Sequence, residues 1–100
     1  MLSSTAKNLY WMGRYLQRAE NTVRLLEATH RMSLQSPSGD EWRSVPVIYG
    51  LAEDFSQRHA APALADMLVY MIFDARNPSS VFTAIQNARN NARAERNNLT

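Results

Sequence analysis

The sequence predicts an all-α protein: a single domain, residues 1–100, that forms an antiparallel bundle of about four helices. Apolar residues recur at alternating steps of three and four, which is the period of an α-helix. No stretch alternates with the period of two that is typical of strands. Capping residues and proline-containing breaks divide the chain into helical segments of unequal length.

The first predicted helix is the longest, running from a cap at Ser3 or Ser4 to Gln35. Its apolar positions form one stripe, made of Leu9, Met12, Leu16, Ala19, Val23, Leu26 and His30. We expect this stripe to be the buried face, with His30 in the core or at its rim. Pro37 ends the helix because proline disfavours helical backbone in the residue before it.

The middle of the chain predicts shorter elements. A second helix over residues 40–51 contains Pro46, which breaks a helix interior, so we expect it to be short or kinked. Residues 52–61 form a polar connection with room for one more helical turn. A third helix over residues 62–73 is apolar almost all round, which predicts a central, buried helix.

The last predicted helix covers residues 78–98, with Asn77 as its cap and Pro78 at its first position. Its inner face is predicted to consist of Val81, Ile85, Ala88 and Ala92. Thr100 has the character of a cap for a further helix. Because the second and last helices have thin apolar faces, we expect the chain to be part of a larger helical domain.

Composition sets the expected environment. The chain has no cysteine, which excludes disulfides and thiolate metal sites and fits the reducing cytosol. The beginning of the chain lacks the pattern of a signal peptide, and the longest apolar run, residues 67–73, is too short to span a bilayer. We therefore predict a cytoplasmic protein without membrane contact.

The charge balance favours specific ion pairs over a general phosphate-binding surface. The net charge is +2, and ten of the eleven basic residues are arginines, which form planar, bidentate contacts with carboxylates and phosphates. A basic helical module that binds nucleic acid is one alternative. The modest charge and the scattered aromatic residues disfavour it.

Signatures of catalysis are missing from the sequence. The glycines do not form a phosphate-binding loop, and no serine lies in a nucleophile elbow. His30 and His59 have no carboxylate at the spacing of metal ligands. We predict no catalytic residue, metal site or cofactor, and a protein that is not an enzyme by itself.

Three polar segments are candidate binding sites. The first lies on the first helix and comprises Arg14, Gln17, Arg18, Glu20 and Asn21. The second is the turn before the last helix, with Asp74, Arg76, Asn77, Ser79 and Ser80. The third is a row of arginines on the last helix, Arg89, Arg93 and Arg96, with only Glu95 nearby to balance their charge.

Each segment also has a structural interpretation. The first fits a solvated face with local ion pairs, which contribute little to stability. The second fits a tight turn that caps a helix, although its free amides, the positive helix end and Arg76 would also suit an anion. The third fits ion pairs with a neighbouring helix.

Stretches at both ends of the chain share a recognisable pattern. The first comprises residues 1–6, MLSSTA, then 8–15, NLYWMGRY, then 18–22, RAENT, and 24–26, RLL. The second comprises Asp74, residues 77–81, NPSSV, then Ala88 and Arg89, and residues 91–93, NAR. On these motifs the chain resembles the bacterial alpha-E domain family, whereas residues 36–64 match only loosely.

Two departures from the family pattern replace a carboxylate by an amide. Gln17 stands where the family's Glu-Arg pair has glutamate, and Asn90 stands where a later Arg-Glu-Asn-Ala-Arg motif has glutamate. An amide keeps an acceptor oxygen but carries no charge. If those glutamates pair with arginines or hold a cation, Glu20 and Asp74 would have to supply the charge here.

The resemblance implies an accessory role. Family members are longer than this chain, and they are encoded beside, or fused to, circularly permuted ATP-grasp ligase-like proteins and transglutaminase-like cysteine peptidases. We therefore expect a module that binds an ATP-grasp-type ligase or its peptide substrate in a system that forms peptide or amide bonds. The alternative is a catalytic site built jointly from the first-helix cluster and the turn at residues 74–80. Self-association into a homo-oligomer also remains open.

Overall fold

The computed structural model describes residues 3–96, and within this range it contains five α-helices, one short 3-10 turn and no strand. The elements are α1 Ser4–Gln35, the 3-10 turn Glu41–Arg43, α2 Ser44–Ile48, α3 Ala52–Arg58, α4 Leu64–Ile72 and α5 Val81–Arg96. The predicted all-α bundle is confirmed. The predicted end of the last helix at Asn98 and the proposed cap Thr100 lie outside the described residues.

The caps and breaks in the sequence account for the first half of the chain. Ser3 caps α1, since its Oγ accepts a hydrogen bond from the Ala6 amide. Pro46 lies in the first turn of α2, where its missing N–H removes no intrahelical bond, and α2 ends after five residues. The predicted short second helix is therefore confirmed, and α3 occupies part of the predicted polar connection.

Helices α1 and α5 pack against each other in antiparallel orientation. Near the end of α5, the buried carboxylate of Glu95 accepts hydrogen bonds from Thr5 Oγ1 at 2.7 Å and Asn8 Nδ2 at 3.2 Å. Farther along α1, Ala19 packs against Val81 and Ala84 at the beginning of α5. The small side chains in this second contact let the two helices approach closely.

The main core forms around α4. Its Met67, Tyr70 and Met71 are fully buried and pack against a set from the rest of the chain: Leu26, Trp42, Val45 and Phe55. The prediction of a helix buried all round is wrong in part, because Val69 is 55% exposed and Phe73, just after the helix, is 66% exposed. The neighbouring elements cover only one side of α4.

The buried face of α1 differs from the predicted stripe. Ala19 and Leu26 are buried as expected, but roughly half of each remaining aliphatic side chain is exposed at Leu9, Leu16 and Val23. The other buried positions carry small polar residues, namely Thr22, Thr29 and Ser33. At about 100° per residue, the centre of the buried face lies roughly 70° around the helix from the centre of the stripe.

Hydrogen bonds explain the burial of two of these polar residues, Thr22 and Ser33. The Thr22 hydroxyl bonds to the Tyr49 hydroxyl at 3.0 Å, and Ser33 Oγ accepts from the Trp42 amide at 3.2 Å. Each bond satisfies a buried polar group, and each small side chain leaves room for a tryptophan or tyrosine from the next segment. Packing against these aromatic residues sets the rotation of α1.

The inner face of α5 is also shifted. Val81 and Ala88 are buried as predicted, but Ile85 is 50% exposed and Ala92 is exposed. Ala84 and Glu95 take their places on the buried face.

The molecule is elongated. Its radius of gyration is 16.4 Å, whereas about 13 Å is typical of a compact domain of this length. Helix α1 has 32 residues and α5 only 16, so α5 covers about half of α1. Within residues 3–96, no helix combines the length and apolar character needed to cross a membrane.

Candidate functional site

A cleft of about 540 Å³ lies between the middle of α1 and the beginning of α5. Its lining comprises Tyr15, Arg18, Asn21, Thr22, Tyr49, Pro78, Ser79, Ala84 and Asn87. Two of the predicted polar segments therefore meet here. The first-helix cluster contributes Arg18 and Asn21, and the turn contributes Ser79.

Helical spacing places the α1 residues of the cleft side by side. Tyr15, Arg18 and Thr22 follow one another at intervals of three and four and share one face. The Arg18 guanidinium carbon lies 5.5 Å from the centre of the Tyr15 ring, a distance at which a cation is attracted to the ring face. The bond from Thr22 to Tyr49 holds the second aromatic side chain in the wall.

The charge of the cleft is one-sided. Arg18 is the one charged side chain among its lining residues, and it forms no ion pair within residues 3–96. No aspartate, glutamate or histidine lines the cleft. This arrangement suits the binding of a polar or negatively charged group, and the lining offers no carboxylate or imidazole as a general base.

The turn before α5 directs Asp74 and Arg76 away from the cleft lining. Asp74 accepts from Arg58 Nη1 at 3.2 Å, from Arg76 Nε at 3.3 Å and from the Arg76 amide at 2.9 Å. Burial favours a raised pKa for Asp74, but the Arg76 amide and the two guanidinium groups outweigh it and lower the pKa below 3.8. Arg76 thus pairs with the Asp74 carboxylate and is not among the lining residues of the cleft, so the free cation that the expected anion site required is already paired.

The cap of α5 is Ser80 and not Asn77. Ser80 caps α5, because its Oγ accepts from the Thr83 amide at 3.1 Å. Asn77 is fully buried, accepts from the Ser79 amide at 3.0 Å and donates from Nδ2 to the Tyr70 carbonyl at 3.0 Å. The prediction of Asn77 as the cap is wrong because its side chain bonds within the turn and to α4.

A polar network that the sequence did not predict ties α3, α4 and the turn together. Arg58 bonds Asp54 as well as Asp74, and the Tyr70 hydroxyl donates to Asp54 Oδ2. Burial, followed by the bond to Asp54, raises the pKa of Tyr70 to about 12. The i,i+4 spacing of Asp54 and Arg58 was the available sequence signal.

The other predicted site residues lie on exposed surfaces. On α1, Arg14 donates to Gln17 at 3.5 Å, and Glu20 pairs with Arg24, as expected for a solvated face. On α5, Arg89 and Arg93 are exposed and form no ion pair within the described part of the chain. None of these side chains lines the cleft.

A second, mostly apolar groove of about 370 Å³ lies between α1 and α4. It is lined by Val23, Leu26, Glu27, His30, Leu68 and Ile72. His30 is partly buried at this groove. Within residues 3–96, no three His, Asp or Glu side chains are grouped so as to hold a metal ion.

A protein-family model matches the chain over residues 1–100, and that family is described as a predicted alpha-helical domain with a conserved ER motif. The chain belongs to the Alpha-E family. Neither the curated proteins nor the solved structures contain a match to it. Membership of the Alpha-E family thus establishes a helical domain.

The resemblance places the family's Glu-Arg pair at positions 17 and 18 of this Alpha-E chain. Gln17, which replaces the glutamate, is exposed and bonds to Arg14. Arg18, which is retained, lines the cleft. Of the two positions, Arg18 is therefore the one that lines the cleft.

Proposed function

We propose that this Alpha-E chain is a helical accessory module of a system that forms peptide or amide bonds. One side of the α1–α5 pair docks an ATP-grasp-type ligase, and the cleft on the other side holds the peptide substrate. The family resemblance supplies the identity of the partner. The two-sided surface of the helix pair supports the docking role.

The cleft defines the first side of the pair, because Arg18 of α1 and Asn87 of α5 both line it. Arg18 and Asn87 lie on one side of the buried contact between the two antiparallel helices. Residues on the other side of that contact form the opposite surface of the pair. On α1 these are Leu9, Leu16 and Val23, spaced seven residues apart, and on α5 they are Phe82 and Ile85. These five residues form what we term the apolar side.

The proposal rests on the exposure of the apolar side. Its five large side chains are between 46% and 50% exposed. Apolar residues scattered singly are normal on a protein surface, whereas a large contiguous apolar patch indicates contact with another molecule, and the apolar side brings five such residues to one surface. Burying them against a partner would add apolar contact where α5 and the middle elements leave α1 uncovered.

Charge at the border of the apolar side indicates the character of the partner. Arg89 follows Ile85 by four residues and Phe82 by seven, so it lies on the same part of α5. Arg93 follows Arg89 by one turn, and neither forms an ion pair within residues 3–96. A partner with carboxylates around an apolar centre would complement this surface and associate faster at low salt.

A binding experiment with the ligase encoded beside this protein tests the proposal. We expect the purified chain to retain the ligase in a pull-down, and Leu16→Glu to abolish retention by placing a charge in the apolar contact. Val47→Glu is the matched control, because Val47 is 64% exposed but lies on α2, away from the apolar side. Arg93→Ala should weaken binding and reduce its salt dependence.

Three results would contradict this proposal. The first is no association with the ligase, together with unchanged ligation by the Arg18→Ala and Arg93→Ala variants. The second is equal weakening by Val47→Glu and Leu16→Glu. The third is a homodimer that Leu16→Glu dissociates, which would assign the apolar side to a second copy. If the chain retained the transglutaminase-like protein and not the ligase, the apolar side would be assigned to that protein.

The catalytic alternative has no comparable support. It needs Asp74 and the first-helix cluster at one site, but Asp74 bonds to Arg58 and Arg76 and is not among the lining residues of the cleft. For nucleic acid, no aromatic pair among the described residues involves α5, so Arg89 and Arg93 have no adjacent row of rings there on which bases could stack.

A further inference from the structure

We infer that the cleft binds the C-terminal carboxylate of a peptide, with Arg18 as the ionic contact and Asn21 and Asn87 as contacts to the last peptide group. This inference rests on the proposed function, because it specifies which part of the substrate the cleft receives. It concerns the side of the α1–α5 pair that does not dock the ligase.

The charge of the cleft selects an anion. Arg18 faces no carboxylate among the lining residues, and its position over the Tyr15 ring orients the guanidinium group. A guanidinium group presents parallel N–H donors whose spacing matches the two oxygens of a carboxylate. Because no acidic side chain lines the cleft, a ligand carboxylate meets no neighbouring negative charge there.

Solvent-accessible polar groups without a partner in the described residues extend the site beyond one ion. The side-chain amides of Asn21 and Asn87, and the hydroxyl of Ser79, make no hydrogen bond within residues 3–96. Each carboxamide offers N–H donors and a carbonyl acceptor, the same pair of functions that a peptide group requires. Asn77, by contrast, uses its side-chain amide for bonds within the protein.

The size of the cleft leaves room for a ligand larger than a bare ion. About 540 Å³ falls within the range of roughly 300–1,000 Å³ that is typical of small-molecule sites. Tyr15, Tyr49, Pro78 and Ala84 supply surfaces against which small side chains can pack. Formation of an amide bond consumes a carboxyl group and an amine, so a free peptide C-terminus is a group that such a system must hold.

The test compares two probes that differ only in the terminal charge. N-acetylated trialanine with a free carboxylate, and the same peptide as its C-terminal amide, are titrated into the full chain and followed by two-dimensional NMR. We expect the free acid to shift the side-chain amide signals of Asn21 and Asn87 in a saturable manner. The amidated peptide should bind about 2- to 5-fold more weakly, the loss expected for one solvent-accessible charged pair.

Two arginine variants separate this site from general charge effects. Arg18→Gln should weaken binding of the free acid about 2- to 5-fold and should leave the affinity for the amidated peptide unchanged. Arg14→Gln is the matched control, because Arg14 is exposed on α1 one turn earlier and lies outside the cleft. It should bind the free acid as the wild type does.

Several outcomes would overturn the inference. Equal binding of the free acid and the amide, or no binding of either, would show that the terminal carboxylate is not recognised. Inorganic phosphate that displaces the peptide at equal concentration would assign the cleft to anions in general. Equal binding of N-acetylated Ala-Glu-Ala amide would assign it to side-chain carboxylates. The pull-down with the ligase tests the docking proposal independently. Loss of peptide binding in Arg18→Gln concerns only the cleft, and loss of ligase retention in Leu16→Glu concerns only the apolar side.

Discussion

Replacing Leu26 and Leu16 separately by alanine distinguishes the buried face of α1 from the apolar stripe in its sequence. Both residues belong to the predicted stripe, but Leu26 is 3% exposed and packs in the main core, whereas Leu16 is 48% exposed. The chemical change is identical, and both positions are interior to the same helix. Any difference in the free energy of unfolding therefore reports burial.

The expected magnitudes differ by a measurable margin. Leu26→Ala should lower the free energy of unfolding by about 2–5 kcal/mol, the range for a buried leucine in a packed core. Full burial of a leucine side chain is worth about 1.5–3 kcal/mol, so the half-exposed Leu16 should cost about 1 kcal/mol or less. Against a typical total of about 5–15 kcal/mol, the first loss is severe and the second is minor.

Urea unfolding followed by circular dichroism provides the measurement. We expect a clearly lower midpoint for Leu26→Ala with an unchanged slope, and a midpoint near that of the wild type for Leu16→Ala. Equal losses would refute the reasoning, because they would place the sequence stripe itself at the centre of the buried face. A larger loss for Leu16→Ala would also refute the assignment of Leu16 to an uncovered surface.

Further predictions concern the polar groups around α4. The folded-state pKa of Asp74 is lowered, so its ionised form stabilises the fold above the usual value of 3.8, and that stabilisation is lost as the pH falls through the folded-state pKa. Acid unfolding should therefore be less steep below about pH 4 in Asp74→Asn, and identical curves would contradict this. Tyr70→Phe should remove the tyrosinate absorbance change with a midpoint of about 12. A persistent change at that pH would assign it to another tyrosine. Asn77→Ala should cost at least about 2 kcal/mol in urea unfolding, because it leaves a buried carbonyl and an amide without partners. The exposed Asn90→Ala is the control, which should leave stability unchanged or slightly raised, and an equal loss there would refute the role of Asn77.

Local signals were enough to place most of the helices. Ser3 and Pro37 correctly predicted the two ends of α1, which begins after Ser3 and ends at Gln35. Pro46 correctly predicted a short helix, since the ring restricts the backbone wherever it occurs. The cap of α5 was mispredicted because Asn77 and Ser80 are both good caps by residue type. The choice depended on the Tyr70 carbonyl, which lies on α4 and accepts a hydrogen bond from the Asn77 side chain.

The candidate site could be predicted only in part. Arg18, Asn21 and Ser79 stood out as polar residues in motif-like segments, and the structure brings them to one cleft. Tyr49 and Asn87 were missed, because neither lies in a pattern that indicates a site. Their place in the cleft depends on the antiparallel packing of α1 and α5 and on the bond between Tyr49 and Thr22.

The sequence by itself determined that this chain is all-helical, where most helices begin and end, and that it belongs to the Alpha-E family. Those properties depend on periodicity, caps and motifs, which are encoded by neighbouring residues. Only the tertiary structure decided that α1 buries Thr22, Thr29 and Ser33 and leaves Leu16 half exposed. The rotation of a helix depends on which side chains from distant segments fit against it. Here the Trp42 backbone amide bonds to Ser33 and the Tyr49 hydroxyl bonds to Thr22, so these small hydroxyl residues face inward and the apolar stripe faces outward in part.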